Sequence, residues 1–203
     1  AGKRRASRLI CKPKVNIRIM NSKLIGISGL ARSGKDTVYE MCRDALAPLG
    51  KTAKRLAFAD ELKKESDEFL LKNIGISAFT EKTHEKEIIR PFLVTYGTHL
   101  RRKLNKRCWI DKVEEQLIAR KENFIFITDV RYNNEISWVH SLGGTSIHVE
   151  REGNLAPNKE EETNDPILKD KSEINIKWKD LDIEDQSIIN SIVLKILTKI
   201  NNG

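Results

Sequence analysis

Nine consecutive residues carry the densest chemistry in the chain: Gly29-Leu30-Ala31-Arg32-Ser33-Gly34-Lys35-Asp36-Thr37. Glycines at 29 and 34 let the backbone turn tightly, so that successive N–H groups converge on one anion. Lys35 adds a point charge for terminal phosphates, and a helix starting there adds its dipole. The layout is that of a phosphate-binding P-loop. In most such loops a Ser or Thr follows the lysine and its hydroxyl ligates magnesium; here Asp36 stands in that place and Thr37 comes one later. A carboxylate is a hard oxygen ligand, so Asp36, directly or through water, or Thr37 could serve Mg2+. ATP is therefore expected on Gly29, Arg32, Ser33, Gly34, Lys35, Asp36 and Thr37.

Two further stretches could work with that loop. Phe124-Ile125-Phe126-Ile127-Thr128 is a continuous apolar strand that ends in Asp129. A carboxylate at the C-terminal end of a buried strand, downstream of such a loop, is where magnesium or its water shell is held; the plainer alternative is a cap for the helix starting near Asn133. The second stretch runs from Glu81 to Asn105 and is helical in pattern with a break. Pro91 fits a helix's first position, and Ile89, Leu93, Tyr96, Leu100 and Leu104 share one face. Gly97 costs that helix ~1 kcal/mol against alanine, which predicts close packing on its bare backbone. Arg90, Thr98, His99, Arg101 and Arg102 surround it. They could cradle a phosphorylated acceptor, or form the wet side of an amphipathic helix.

Thr128-Asp129-Val130-Arg131-Tyr132-Asn133-Asn134-Glu135 resembles the Asp-x-Arg-x-x-x-Glu signature of phage-type deoxynucleoside monophosphate kinases. Arg90-Pro91 with Tyr96-Gly97-Thr98 resembles the same family's acceptor helix, Trp109 falls near its aromatic position, and Gly34-Lys35-Asp36-Thr37 is similar to its loop. Where the best-known members carry a glutamine this chain has Val94 or Thr95, which bears on base selectivity. The resemblance implies acceptor binding by Arg90, Gly97, Thr98, Trp109, Arg131 and Glu135. It also implies catalytic roles for Lys35, Arg131 and Asp129, and metal binding by Asp36, Thr37 and Asp129. Glu135, four beyond Arg131, would orient its guanidinium or contact the acceptor sugar. Taken from the residues alone, Trp109 reads more readily as a core side chain than as a platform. Animal phosphomevalonate kinases also carry Gly-Lys-Asp and supply the rival acceptor.

The elements that must position these groups follow from periodicity. Leu24 to Ser28 is expected as a buried strand and Val38 to Leu46 as a helix, which Pro48 and Gly50 stop. Lys54 to Ala59 alternates as a second strand, and a helix from about Glu61 to Leu71 takes Asp60 as its cap. Its Lys63 and Lys64 could lie over the acceptor or merely in solvent. Trp109 starts another helix, with Ile110, Val113, Leu117 and Ile118 inward. Thr145 to Glu150 and Ser172 to Trp178 are strands, with His148 structural. Residues 189 to 200 form an amphipathic helix through Ile189, Ile192, Val193, Ile196, Leu197 and Ile200. Between those strands lies a polar stretch, Arg151 to Pro166, that reads as a solvated loop or as a lid over about 151–170, with Arg151 its most useful charge. Strands alternating with helices after the loop predict an α/β fold: a P-loop NTPase three-layer sandwich with a mainly parallel sheet and a lid segment.

Composition removes some classes of function. At 203 residues the chain suits one domain, and no apolar run reaches the ~20 residues of a membrane span. Cys11, Cys42 and Cys108 are widely spaced with no metal-ligand pairing, and a reduced, cytoplasmic setting is expected. Of the net charge of +8, seven units come from Lys3, Arg4, Arg5, Arg8, Lys12, Lys14 and Arg18. The rest is nearly neutral, so a general polyanion-binding surface is not expected. Residues 1–19 read as a transit peptide, a nucleic-acid arm or, the preferred reading, a disordered extension ahead of a start at Met20; residues 20–203 form the kinase domain. The expected reaction is transfer of the ATP γ-phosphoryl group to a deoxynucleoside monophosphate, with Mg2+. The alternatives are another small phosphorylated acceptor such as phosphomevalonate and, less favoured, a nucleic-acid-binding P-loop protein. A homodimer is left open.

Overall fold

Short β-branched and aromatic runs bounded by polar turns become the strands of a single sheet. In the computed structural model, which describes residues 22–178 and 186–202, these are β1 (Lys23–Ser28), β2 (Ala53–Leu56), β3 (Phe124–Val130), β4 (Thr145–Arg151) and β5 (Ile174–Trp178). All neighbours pair in parallel, in the order β2-β3-β1-β4-β5. Residues 1–19 and Met20, on which expectations about a tail and a start rest, lie outside the described residues.

Parallel strands need crossovers, and helices supply them on both faces. The chain gives α1 (Lys35–Leu46), α2 (Phe58–Ile74), α3 (Thr83–Val94), α4 (Cys108–Leu117), α5 (Asn133–Ser141), α6 (Lys159–Lys171) and α7 (Gln186–Asn202). Side-chain alternation along the strands sorts the core into two halves. Leu24, Ile125 and Ile127 face α4, α5 and α6 through Ile110, Val113, Ile136, Val139 and Leu168. Ile25, Ile27, Phe124, Phe126, Ile147 and Val149 face α1 and α7 through Val38, Cys42, Leu46 and Ile196. The expected three-layer sandwich is the observed one. Of the apolar positions in α7, Ile192, Val193, Ile196 and Leu197 pack inward; the side chains of Ile189 and Ile200 lie outside the described ones.

The chain leaves β1 into α1 on one face and β3 into α5 on the other, so a crevice opens between the C-terminal ends of these adjacent strands. A bulge sharpens it: Gly26 pairs with Ile127 but Ser28 with Val130, so one extra residue of β3 is accommodated beside Asp129. Bulges of this kind re-aim a side chain at the end of a strand.

Several expected boundaries move. β2 ends at Leu56, and α2 starts at Phe58 rather than Glu61, because its first amides are capped from a distance by Asp129 instead of by Asp60. Pro91 lies inside α3 rather than at a first position, and the helix continues as a π-helix over Thr95–Arg102. The wider turn breaks the 3.6-residue register. That is why Leu100 and Leu104, expected on the buried face with Ile89, are exposed. Ile118 caps the end of α4 and is also exposed. Residues 159–171 are helical, not a loop, because Asn158 accepts from the Glu161 amide at 2.8 Å and three glutamates fill the first turn.

Candidate active site

The loop after β1 owes its shape to its backbone. Gly29 sits at φ 133, and a Cβ there would lie 2.2 Å from the Val149 carbonyl oxygen, so no other residue fits. Arg32 (φ 65) and Gly34 (φ 94) are also left-handed, which turns the intervening amides toward one concavity ahead of α1. Ser33 is buried, with its Oγ unpartnered among the described residues, and its carbonyl accepts from Trp178 Nε1 at 2.9 Å. Trp178, at the end of β5, thus braces the loop from behind. Sequence reasoning saw it only as an inward strand residue, since nothing local connects it to Ser33.

Lys35 is nearly buried at the base of this concavity. Its Nζ donates to the carbonyls of Gly29 (2.8 Å) and Leu30 (2.6 Å). Burial, assisted by the Arg131 guanidinium, lowers its pKa to about 8, while the carboxylates of Glu161, Asp129 and Asp36 resist that change. The lysine therefore keeps its proton through neutral pH. Arg32 is exposed at the rim and Thr37 is half-buried just inside α1. Asp36 is held by Arg55 Nε at 2.9 Å, and the same arginine reaches Asp60 through Nη1, also at 2.9 Å. Arg55, absent from the sequence expectations, ties the start of α1 to the start of α2; a lone arginine on a short strand carries no local signal of that.

Asp129 reaches the crevice from the bulged end of β3. Its two oxygens accept from the amides of Phe58 and Ala59, each at 2.8 Å. It is thus a helix cap, though for α2 and not for the helix that follows it in sequence. Burial raises its carboxyl above the ordinary range, against those two donors and the nearby Arg131 and Arg55. Each oxygen keeps a second lone pair, so capping does not remove it from metal chemistry. Magnesium takes one or two protein oxygens and completes its shell with substrate phosphates and water. Asp36 and Asp129 both act on the charge of Lys35, Thr37 follows Asp36 at the start of α1, and all three are the hard oxygen donors that magnesium takes.

Arg131, two residues on, is half exposed and donates from Nη1 to Glu161 Oε1 at 2.5 Å. The expectation that Glu135 orients this guanidinium is corrected. Glu135 is fully buried, accepts from the amides of Arg131 (2.8 Å) and Tyr132 (3.1 Å), and pairs with the Arg102 guanidinium. A carboxylate enclosed in this way holds the turn in shape and has no free face for a sugar. Arg102 lies over the Tyr132 ring at 3.9 Å, and the Tyr132 hydroxyl is 3.4 Å from Thr98 Oγ1. Thr98 is therefore joined through Tyr132 and Arg102 to Glu135, which also holds the Arg131 amide; Tyr132 was not singled out from sequence.

The remaining acceptor candidates separate. Gly97 is buried, and its missing Cβ makes room for Leu62 of α2, whose Cδ2 would lie 2.8 Å away. Its carbonyl also faces Trp109 Nε1 at 3.4 Å. Trp109 is 3% exposed, packed in the core with the Arg101 guanidinium 5.6 Å from its ring centre. It is a core side chain and offers no open face to a ligand. Arg90 stands exposed on α3 and makes no ion pair among the described residues. Lys64 pairs with Glu61 at 2.6 Å and Lys63 lies over Phe79, so neither is aimed at the loop. Arg151, expected to serve a lid, closes β4 opposite Trp178.

α6 covers the crevice instead. Glu161 Oε2 accepts from the Ala31 amide at 2.9 Å, Asn154 Nδ2 donates to the Ala31 carbonyl at 2.8 Å, and Asp165 Oδ2 lies 3.6 Å from His148 Nε2. His148 is fully buried and meets Ser28 Oγ through Nδ1 at 3.0 Å. Burial lowers its pKa to about 4, which keeps it neutral and structural, as its position suggested. Gly29, Leu30, Arg131, Glu161, Asn164, Asp165 and Leu168 enclose a small pocket of about 10 Å³. No helix among the described residues is long and apolar enough to cross a membrane.

No curated protein is significantly similar to the chain. Among solved structures it is similar to shikimate kinase from Aquifex aeolicus, with 15% identity, a TM-score of 0.48, and 89% of this chain and 99% of that one covered. It is similar to dephospho-CoA kinase from Campylobacter jejuni, with 15% identity, a TM-score of 0.48, and coverage of 90% and 98%. A gluconokinase from Sinorhizobium meliloti aligns with 12% identity, a TM-score of 0.46, and coverage of 88% and 95%. The phosphomevalonate kinase family model matches residues 27–145, from the end of β1 to the start of β4 and more than half of the chain. With a P-loop, an arginine and two carboxylates gathered at one crevice inside that span, the chain belongs to the phosphomevalonate kinase family, a P-loop small-molecule kinase.

Proposed function

We propose that the chain transfers the γ-phosphoryl group of ATP to the phosphate of a small acceptor of the phosphomevalonate kind, releasing ADP and a diphosphate. The observation that carries this reading is the family match over residues 27–145, which takes in the loop, the π-helical segment and the turn after β3. The enclosure of Trp109 supports it. Stacking on an aromatic face is a common way to hold a nucleobase, and the aromatic nearest the expected position is in the core.

The loop amides and Lys35 hold the donor phosphates. Arg131, from the facing strand end, neutralises the acceptor phosphate so that two polyanions can approach. An oxygen of the acceptor phosphate attacks the γ-phosphorus, the bond to the β-bridging oxygen breaks, and ADP leaves with that electron pair. No general base is required, since the attacking oxygen is already ionised. Asp36, Thr37 and Asp129 would hold Mg2+, which supplies charge neutralisation across the β- and γ-phosphates.

A second reading, transfer to a deoxynucleoside monophosphate, is favoured by the Asp129-x-Arg131-x-x-x-Glu135 segment with Thr98 joined to it through Tyr132. Labelled ATP offered with phosphomevalonate, the four deoxynucleoside monophosphates and other small monophosphates separates the two. Turnover of phosphomevalonate alone is the expected result. Turnover confined to deoxynucleotides establishes the second reading, and no transfer to any monophosphate overturns both.

A further inference from the structure

The loop built to receive an anion already holds one. Glu161 projects from the first turn of α6, and its carboxylate is only 11% exposed. One oxygen takes the Ala31 amide at 2.9 Å and the other takes the Arg131 guanidinium at 2.5 Å. These donors belong to the two sides of the crevice, the phosphate loop and the strand end assigned to the acceptor. Lys35 is at the same time turned back on the loop carbonyls of Gly29 and Leu30. Lys35 and Arg131, the two cations at the crevice, are thus both satisfied from within the chain.

An amide N–H has one hydrogen to give, so Ala31 cannot serve both the Glu161 carboxylate and a phosphate oxygen. Two anions on one cradle also repel. Glu161 therefore has to leave before phosphates fill the concavity.

The rest of α6 is attached less directly to the loop. Glu160 reaches the Tyr132 hydroxyl, Lys171 Nζ meets Asn133 Oδ1 at 2.5 Å, and Lys169 meets Glu150 at 2.8 Å. The last two contacts lie near the C-terminal end of the helix, away from the loop. The N-terminal end follows residues 152–158, a segment that contains Gly153 at φ 74 and the exposed Leu155. A rotation about the C-terminal end would withdraw Glu161 and keep the Lys169 and Lys171 contacts.

We propose that α6 is an autoinhibitory lid in which the Glu161 carboxylate stands in for a phosphate, bridging Ala31 and Arg131 until nucleotide displaces it. This rests on the reading of residues 29–37 as the nucleotide loop. Its consequence is that wild-type affinity for nucleotide is reduced by the fraction of molecules with the lid engaged.

The test is calorimetric titration of the full chain with MgADP and MgATP, comparing wild type, Glu161→Ala, Glu161→Gln and Lys35→Ala. Position 161 is helical and alanine favours helices, so folding is retained. Glu161→Ala is expected to tighten nucleotide binding about fivefold or more, and Glu161→Gln, which can still accept from Ala31 but loses the charge, by less. Hydrogen exchange in residues 159–164 of the wild type is expected to rise on adding nucleotide. Unchanged or weaker binding by Glu161→Ala, with Lys35→Ala binding poorly, overturns the lid and leaves the loop assignment standing. Failure of every variant and of the wild type to bind nucleotide overturns the loop assignment and the lid with it.

Discussion

The two walls of the crevice are built on different principles. The donor wall, β1 to α1, is a backbone device. Its shape comes from Gly29 pressed against the Val149 carbonyl and from left-handed residues at 32 and 34, and the side chain at its base is Lys35. The facing wall is a side-chain device. Glu135 collects Arg102 and two amides, and Tyr132 joins that pair to Thr98. Arg102 is enclosed there, whereas Arg131 is left at the rim with Glu161 as its carboxylate partner. A backbone device tolerates loss of its functional side chain, whereas a side-chain device loses its architecture when one member is removed.

That contrast is testable in both directions. Lys35→Ala is expected to lower phosphoryl transfer by about 10³-fold or more, on the scale of removing a preorganised electrostatic contact, with circular dichroism unchanged. It is also expected to raise thermal stability at neutral pH. The folded pKa of about 8 lies below the unfolded value of 10.5, so between these the unfolded chain binds more protons and stability increases with pH. Below pH 8 the charged, desolvated lysine costs stability, and an uncharged replacement relieves it. Loss of fold in this variant would erase the distinction between the walls. Nucleotide affinity of the wild type should fall as pH rises through about 8, measured by titration at fixed ionic strength.

Glu135→Ala is the reverse case. Breaking a buried charge pair leaves Arg102 and two amides without their acceptor and is expected to cost about 3–5 kcal/mol, read by denaturant unfolding. Activity should disappear with the fold. A variant of full stability would show that the facing wall does not depend on this carboxylate.

Arg131→Lys has the smallest expected effect. It should leave stability within about 0.5 kcal/mol, since the residue is exposed. The acceptor KM should rise and kcat fall, because an ammonium cannot make the two-pronged contact of a guanidinium. A defect confined to the ATP KM would move Arg131 to the donor wall and redraw the comparison.

The sequence by itself determined what local rules govern. The glycines, Lys35 and the flanking strand and helix lie within one short segment, and hydrogen-bond geometry at that range follows residue type. Strands alternating with helices likewise announced a parallel sheet with helices on both faces, and the continuous apolar runs of β1 and β3 agree with burial on two sides. Only the tertiary structure decided what met across the crevice. Asp129 caps α2 rather than a neighbour, since a bulge in β3 re-aims it. Gly97 packs against Leu62 of α2 and its carbonyl faces the indole of Trp109, whose place in the core its residue type had already suggested. Glu161, 130 residues from Ala31, became the loop's anion, and Trp178, 145 from Ser33, became its brace. Such pairings depend on the sum of the sheet order, the helix lengths and the phase of each turn. A sequence pattern reports the phase within an element, and a contact between two elements is set only when all of them have packed.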